Sequence, residues 1–118
     1  MKKKSNVAKG NYYKAKTKKL FIDRGYQCEY LEQIKWIFTP TGRFPMKKDL
    51  FASDGLAMNG KELIFWNSKL GCDSLNSEMK KYDEYLFPPF VTLAIVAWKP
   101  RCKKPRIMYR KDGIISEE

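Results

Sequence analysis

Histidine is absent from the 118 residues of this chain. Without an imidazole, Ser–His and Cys–His catalysis are excluded, and so is any metal site that depends on histidine ligands. Cysteine is scarce: Cys28, Cys72 and Cys102 are widely spaced, and no two of them form a CxxC pair. Such cysteines argue against a disulfide framework or a zinc site and are typical of a reducing cytosol. We therefore expect a cytoplasmic protein, or one of the host cytoplasm if the source is viral.

Long apolar runs are also lacking. The run 91–98 is far too short to span a membrane, so no membrane partner is expected. No apolar segment follows the basic start Met1-Lys2-Lys3-Lys4, which argues against a secretory signal. The length admits one domain with one core.

Acidic residues are few beside the basic ones, with 13 Asp and Glu against 24 Lys and Arg and a formal net charge of +11. This excess favours a polyanion as the partner. A solubility charge is the alternative, and an anionic membrane surface is a more distant one. Nucleic acid is favoured because the surplus recurs along the chain, at 2–4, 14–19, 47–48, 80–81 and 99–106.

The most informative stretch present is 49–69, which predicts a β-hairpin. Asn59-Gly60 is typical of a two-residue hairpin turn, since both residues tolerate positive φ. The apolar run 63–66 is long enough for a strand and too short for a helix. We expect Trp66 to pack in the core rather than to stack on a base.

Polar side chains are predicted to converge at one end of this hairpin. Asp54 begins the first strand, and Asn67 and Lys69 lie two residues apart on the second, so they share a face. The pattern resembles the PD-(D/E)XK nuclease superfamily, in its archaeal Holliday-junction-resolvase-like branch. There an Asp heads one strand, and an acidic or amide residue, any residue and Lys follow on the next. Asp54 matches the first position and Asn67-Ser68-Lys69 the second.

Periodicity and turn residues predict the remaining elements. In chain order they are a helix capped by Asn11 and ending near Arg24, two strands or one bent strand over 26–30 and 33–38, a basic loop over 43–48, the hairpin, a helix over 74–86, a buried interior strand over 91–98, a strand over 106–110 and a turn at Asp112-Gly113. The resemblance covers about residues 9–110. It implies an α/β, restriction endonuclease-like fold with a mixed central β-sheet flanked by helices. We expect a basic arm over 1–9, the nuclease-like domain over 10–111 and a short acidic tail over 112–118.

The resemblance implies a Mg²⁺- or Mn²⁺-dependent endonuclease of the Holliday junction resolvase type, acting on DNA, including branched DNA, in recombination. Asp54, Asn67 and Ser68 would hold the metal, the last through its carbonyl, and Lys69 would steady the phosphate or the attacking water. Asp54, Asn67 and Lys69 are thus the predicted catalytic residues. A homodimer is implied too, because resolvases act as dimers on a symmetric junction.

Four lysines crowd into 14–19 with no acidic neighbour before Asp23, and phosphate contacts would offset their repulsion. The residues expected to bind nucleic acid are Lys9, Asn11, Lys14, Lys16, Lys18, Lys47 and Lys48.

Two positions differ from the family pattern and leave an alternative open. Asn67 is neutral where a carboxylate is usual, and Lys14 lies about where the first helix of resolvases carries an acidic residue. The alternative is a catalytically impaired nuclease-fold protein that binds nucleic acid. A third possibility is an unrelated basic RNA-binding protein, although no RNP-type aromatic motif, GxxG loop or zinc finger supports it.

Overall fold

A computed structural model describes residues 6–71, 75–100 and 103–118, with side-chain detail that excludes 6–10, 32–37 and 44–50. The elements in chain order are α1 (Asn6–Asp23), β1 (Gln27–Tyr30), β2 (Glu32–Thr39), β3 (Gly42–Asp49), a 3-10 turn (Leu50–Ala52), β4 (Gly55–Met58), β5 (Leu63–Leu70), α2 (Leu75–Lys80), a second 3-10 turn (Lys81–Glu84), β6 (Val91–Trp98), β7 (Arg106–Lys111) and β8 (Ile114–Glu117).

Six strands form one sheet in the order β1-β4-β5-β6-β7-β8. Neighbouring strands are antiparallel except β5 and β6, which run parallel and are joined through α2. Strands β2 and β3 pair with each other in a separate antiparallel ribbon. The chain is therefore a mixed α/β protein with a mostly antiparallel sheet flanked by helices, which confirms the predicted fold class at this level.

The core lies on both faces of the sheet, around β6. All eight residues of β6 are buried, as the unbroken apolar run predicts for a strand covered on both faces. On one face α1 packs through Phe21 against Trp66 and Trp98. On the other face α2 packs through Leu75 and Met79. Alternate residues of β5 therefore belong to different clusters, and this alternation decides where its polar end points.

Trp66 is fully buried, as predicted, and it fixes the start of β4. Its indole lies over Gly55, where any Cβ would overlap the ring. The indole N–H donates to Cys28 Sγ at 3.2 Å. Burial raises the pKa of the Cys28 thiol, so this cysteine remains a packing residue.

The first helix begins earlier than predicted. α1 includes residues 6–9, which were assigned to the basic arm, and Asn11 lies inside the helix instead of capping it. Gly10 does not stop the helix, because a glycine in a helix interior costs only about 1 kcal/mol. Residues 1–5 lie outside the described part of the chain.

One predicted loop is wrong, and the predicted acidic tail contains a strand. The basic segment 43–48 belongs to β3, in which Phe44 and Met46 supply an alternating pattern that basic residues and Pro45 obscure. The acidic tail contains β8, which pairs with β7 across the predicted turn at Asp112-Gly113. Both turn residues have positive φ, 50° and 78°, as a two-residue hairpin requires.

The predicted Asn59-Gly60 turn is longer than two residues. Met58 pairs with Leu63, so four residues connect β4 to β5. Asn59 Oδ1 accepts hydrogen bonds from the backbone N–H groups of Lys61 and Glu62 at 2.8 and 2.7 Å, which stabilises the wider turn. The helix predicted over 74–86 is shorter: α2 ends at Lys80 and continues only as a 3-10 turn. Within the described ranges, no helix is both long and apolar enough to cross a membrane.

Candidate nucleic-acid interface

The predicted site residues lie where β4 begins and β5 ends. Asp54 directly precedes β4, and its backbone N–H donates to the Trp66 carbonyl at 3.0 Å. This bond extends the β4–β5 pairing by one residue and aligns Asp54 with the end of β5. The parallel neighbour β6 ends at the same edge, because Leu70 pairs with Trp98.

The carboxylate of Asp54 is buried and has partners on both oxygens. Asp54 as a whole is 6 % exposed. Oδ2 accepts from the Ser68 backbone N–H at 2.9 Å and from its hydroxyl at 3.5 Å. Oδ1 lies 3.7 Å from Lys14 Nζ, which reaches across from α1. The carboxylate is thus held against β5 and neutralised by an ammonium on the α1 face of the sheet.

The amide of Asn67 has a structural role that the sequence did not indicate. Its Oδ1 accepts from the Asp54 N–H at 2.9 Å, and its Nδ2 donates to the Ala52 carbonyl at 2.5 Å and to the Tyr82 hydroxyl at 3.1 Å. Phe51 and Ala52 have φ of 54° and 55°, a conformation that costs about 1–3 kcal/mol for a residue with a side chain. Asn67 therefore stabilises the strained turn that delivers Asp54 to the sheet.

Lys69 points away from the Asp54 carboxylate. Asn67 and Lys69 share the α2 face with Phe65, whereas Ser68 shares the α1 face with Trp66. Lys69 Nζ pairs with Glu78 Oε1 on α2 at 2.9 Å. The structure brings Asp54, Asn67 and Ser68 together, but Lys69 does not join them in one cleft as the hairpin geometry predicted. The catalytic roles of these residues stay predictions.

The charge of Glu78 is stabilised by two ammonium groups. Lys69 contacts one carboxylate oxygen, and Lys81 contacts the other at 3.0 Å. Burial raises the pKa of Glu78, but the hydrogen bonds from these lysines outweigh it and leave the pKa below its ordinary value. Glu78 is therefore ionised at neutral pH and fixes Lys69 on the α2 side.

This arrangement does not fit the predicted Mg²⁺ site. Mg²⁺ prefers oxygen ligands, usually carboxylates, in near-octahedral geometry. Here the one carboxylate, on Asp54, already faces an ammonium and an N–H group, and Asn67 Oδ1 faces an N–H. Among the described residues, no group of three or more His, Cys, Asp or Glu is placed to hold a metal ion. A metal at these residues stays a prediction.

The lysines of α1 whose side chains are described, residues 14–19, have partners within the protein. Lys16 Nζ lies 4.6 Å from the centre of the Trp98 ring and 5.4 Å from that of Tyr12. Lys18 Nζ lies 3.6 Å from Glu29 Oε2 and 4.9 Å from the centre of the Tyr30 ring. These contacts offset the repulsion among the lysines, because both carboxylates and aromatic faces attract ammonium groups. The sequence had suggested phosphate contacts for that role.

Of the other residues predicted to bind nucleic acid, the structure describes the side chain of one. Asn11 is exposed on α1. The side chains of Lys9, Lys47 and Lys48 lie outside those described. Lys99, Lys103 and Lys104 were not predicted as binding residues, yet they are exposed in the segment that follows β6. These lysines were visible as a basic run in the sequence, but their position beside the end of β5 depends on the parallel pairing of β5 with β6.

Comparisons with known proteins find no matching family model, no matching curated protein and no matching solved structure.

Proposed function

We propose that this chain binds DNA at the edge of the sheet where β5 and β6 end, on a restriction endonuclease-like fold whose catalytic site is impaired. Helix α1, the antiparallel strands β1, β4 and β5, helix α2 and the parallel strand β6 follow one another in the order that the resemblance implies. The β2–β3 ribbon is inserted between β1 and β4.

The contact between Lys14 and Asp54 carries the proposal that catalysis is impaired. The first helix of resolvases is expected to carry an acidic residue near the position of Lys14. Here an ammonium lies 3.7 Å from the Asp54 carboxylate instead. A fixed positive charge at that distance repels a divalent cation and partly neutralises the one carboxylate that would attract it. The protein retains the framework of the site and replaces its metal-binding charge with a lysine.

The basic edge, as we define it, supports DNA as the partner. It contains the side chains near the carboxyl ends of β5 and β6, which are Lys16, Lys69, Lys99, Lys103 and Lys104. Of these, Lys99, Lys103 and Lys104 are exposed, and none of the described carboxylates forms an ion pair with Lys99 or Lys103. Exposed lysines bind phosphates mainly through counterion release, which gives affinity without base specificity.

A pair of double variants tests where DNA binds. Replacing Lys99 and Lys103 by glutamine removes two charges at the basic edge, and replacing Lys61 and Lys111 removes two exposed charges near the opposite ends of β5 and β6. The affinity for duplex DNA is measured by fluorescence anisotropy over a salt series. The first variant is expected to bind less tightly and to reduce the log–log salt slope by about 1 to 2, while the second changes little. Equal losses, or an affinity independent of salt, would refute the assigned surface.

A Mg²⁺-dependent endonuclease remains the second candidate. It is favoured by the contacts of Asp54 with the end of β5, where Ser68 donates to its carboxylate and Asn67 accepts from its backbone N–H. Cleavage of branched and linear DNA with Mg²⁺ or Mn²⁺, compared with EDTA, separates the two candidates. Metal-dependent cleavage that Asp54→Ala abolishes would establish the enzyme. The implied homodimer and cytoplasmic location also stay predictions, tested by sedimentation and by cell fractionation.

A further inference from the structure

The β2–β3 ribbon extends from the same edge of the sheet as the candidate site. Its strands, Glu32–Thr39 and Gly42–Asp49, pair with each other along their whole length. At about 3.4 Å per residue, eight residues give a ribbon about 27 Å long. The Leu31 N–H donates to the Asp54 carbonyl at 2.9 Å, which ties the start of the ribbon to the residue before β4. DNA bound beside Asp54 would therefore lie next to the ribbon.

The ribbon is cationic beyond its base. Its two acidic residues, Glu32 and Asp49, are directly opposite each other where it joins the rest of the protein. Residues 33–48 contain no further Asp or Glu, and their basic residues are Lys35, Arg43, Lys47 and Lys48. A ribbon of this charge and width suits DNA, because the major groove admits a two-stranded β-ribbon.

The tip of the ribbon presents an aromatic ring. Phe38 is 77 % exposed, and it is opposite Arg43 in the strand register, so both belong to one face. The turn is held by Thr39, whose hydroxyl donates to the Gly42 carbonyl at 2.9 Å and lies 3.1 Å from that of Thr41. These hydrogen bonds constrain the turn that carries the ring.

We propose that the ribbon is a second DNA-binding element and that Phe38 stacks on an unpaired base at a bulge, fork or junction. This inference rests on the proposed DNA binding. Every base offers a π-face to an aromatic side chain, and stacking of this kind tolerates any sequence. In a continuous duplex the ring would first have to separate two stacked base pairs, which costs free energy. DNA that already contains an unpaired base avoids this cost and is the preferred ligand.

The test compares two DNAs of the same sequence, one fully paired and one with bulged nucleotides. By fluorescence anisotropy the protein is expected to bind the bulged DNA more tightly. Phe38→Ala should reduce that affinity about fivefold or more and leave the affinity for paired DNA unchanged, whereas Phe38→Tyr should retain both. Phe90→Ala is the matched control, because Phe90 is 65 % exposed and directly precedes β6, at the opposite end of that strand from Trp98.

The outcomes distinguish this inference from the proposed function. If the unaltered protein binds neither DNA, the proposed function fails and this inference fails with it. If it binds paired DNA with a steep salt dependence but Phe38→Ala does not alter binding to bulged DNA, only the stacking inference is overturned. An equal loss on both DNAs would also overturn it, since the ring would then act without regard to unpaired bases. Preference for bulged RNA over bulged DNA would assign the ribbon to a different ligand.

Discussion

Asn67 Oδ1 and the Trp66 carbonyl share one donor, the backbone N–H of Asp54, at 2.9 and 3.0 Å. The side chain of one residue and the backbone of its neighbour thus hold the same group. In this geometry the amide oxygen of Asn67 is directed at the peptide of Asp54 and not at its carboxylate. The pair that the sequence suggested as two metal ligands is a hydrogen-bonded support for the turn before β4.

Asn67→Asp should therefore destabilise the protein. A carboxylate cannot donate to the Ala52 carbonyl, and it would add a second buried negative charge near Asp54. Leaving such groups without partners costs about 2–4 kcal/mol of the free energy of unfolding. Urea denaturation at neutral pH measures the loss. Asn59→Asp is the matched control, because Asn59 is exposed and uses only its oxygen, as an acceptor, so its carboxylate can replace the amide at little cost.

The opposite result would have a clear meaning. If Asn67→Asp folds with undiminished stability and its thermal midpoint rises with Mg²⁺, Asn67 is a degraded metal ligand and the structural role assigned to it is wrong.

Tyr82→Phe should cost about 1–3 kcal/mol at neutral pH. The Tyr82 hydroxyl is fully buried, donates to the Ala94 carbonyl at 3.1 Å and accepts from Asn67 Nδ2. Removal of the Tyr82 hydroxyl leaves one N–H of the Asn67 amide without its acceptor. Tyr26→Phe should cost less, because the hydroxyl of Tyr26 bonds to Glu62 at an exposed position.

The same tyrosine predicts a decline of stability in alkali. Burial raises the pKa of Tyr82 far above its ordinary value, whereas in the unfolded chain a tyrosine titrates near about pH 10. Above that pH the unfolded state binds fewer protons than the folded state, so the free energy of unfolding falls as the pH rises. Urea titrations above pH 10 should show a shallower decline in Tyr82→Phe than in the unaltered protein. Equal slopes would contradict the assigned burial of the hydroxyl.

Glu78 should contribute stability that acid removes. Its pKa is below the ordinary value because the hydrogen bonds from Lys69 and Lys81 outweigh burial. The contribution is present above the pKa of the unfolded carboxyl and is lost as the pH falls through the folded one. Glu78→Gln should therefore cost about 1 kcal/mol at pH 7 and nothing at low pH, whereas Glu84→Gln, at an exposed position, should change little at either. A cost that stays constant with pH would indicate a packing effect instead.

The sequence predicted correctly those elements that a short run of residue types identifies by itself. The run 91–98 is apolar throughout, and this alone places it inside a sheet. The Asp112-Gly113 turn was also visible locally, since Asp and Gly tolerate the positive φ that this turn needs. The strand β3 was missed because Pro45 and the adjacent basic residues read as a loop until β2 is available as a partner.

The hydrogen-bond and ion-pair partners of the site residues could not be predicted from neighbouring residues in the sequence. Asn67 reaches Ala52 because Phe51 and Ala52 adopt positive φ, which no residue type there indicates. Lys14 reaches Asp54 because α1 crosses the end of β5, a packing that joins residues forty positions apart. The hairpin predicted that Asp54 would lie near Asn67, but the partner of each side chain depended on these contacts.

A metal response engineered at Lys14 provides the sharpest test of the impaired site. Lys14→Glu replaces the ammonium beside Asp54 with a second carboxylate, so the two negative charges should repel and lower the thermal midpoint in EDTA. A divalent cation binds two nearby carboxylates, and any ligand that binds only the folded state stabilises it. Mg²⁺ or Mn²⁺ should therefore raise the midpoint of Lys14→Glu and leave that of Lys14→Gln, which supplies no charge, unchanged. If neither cation raises the midpoint of Lys14→Glu, or if both variants respond alike, Lys14 does not occupy the position of a metal-binding acid.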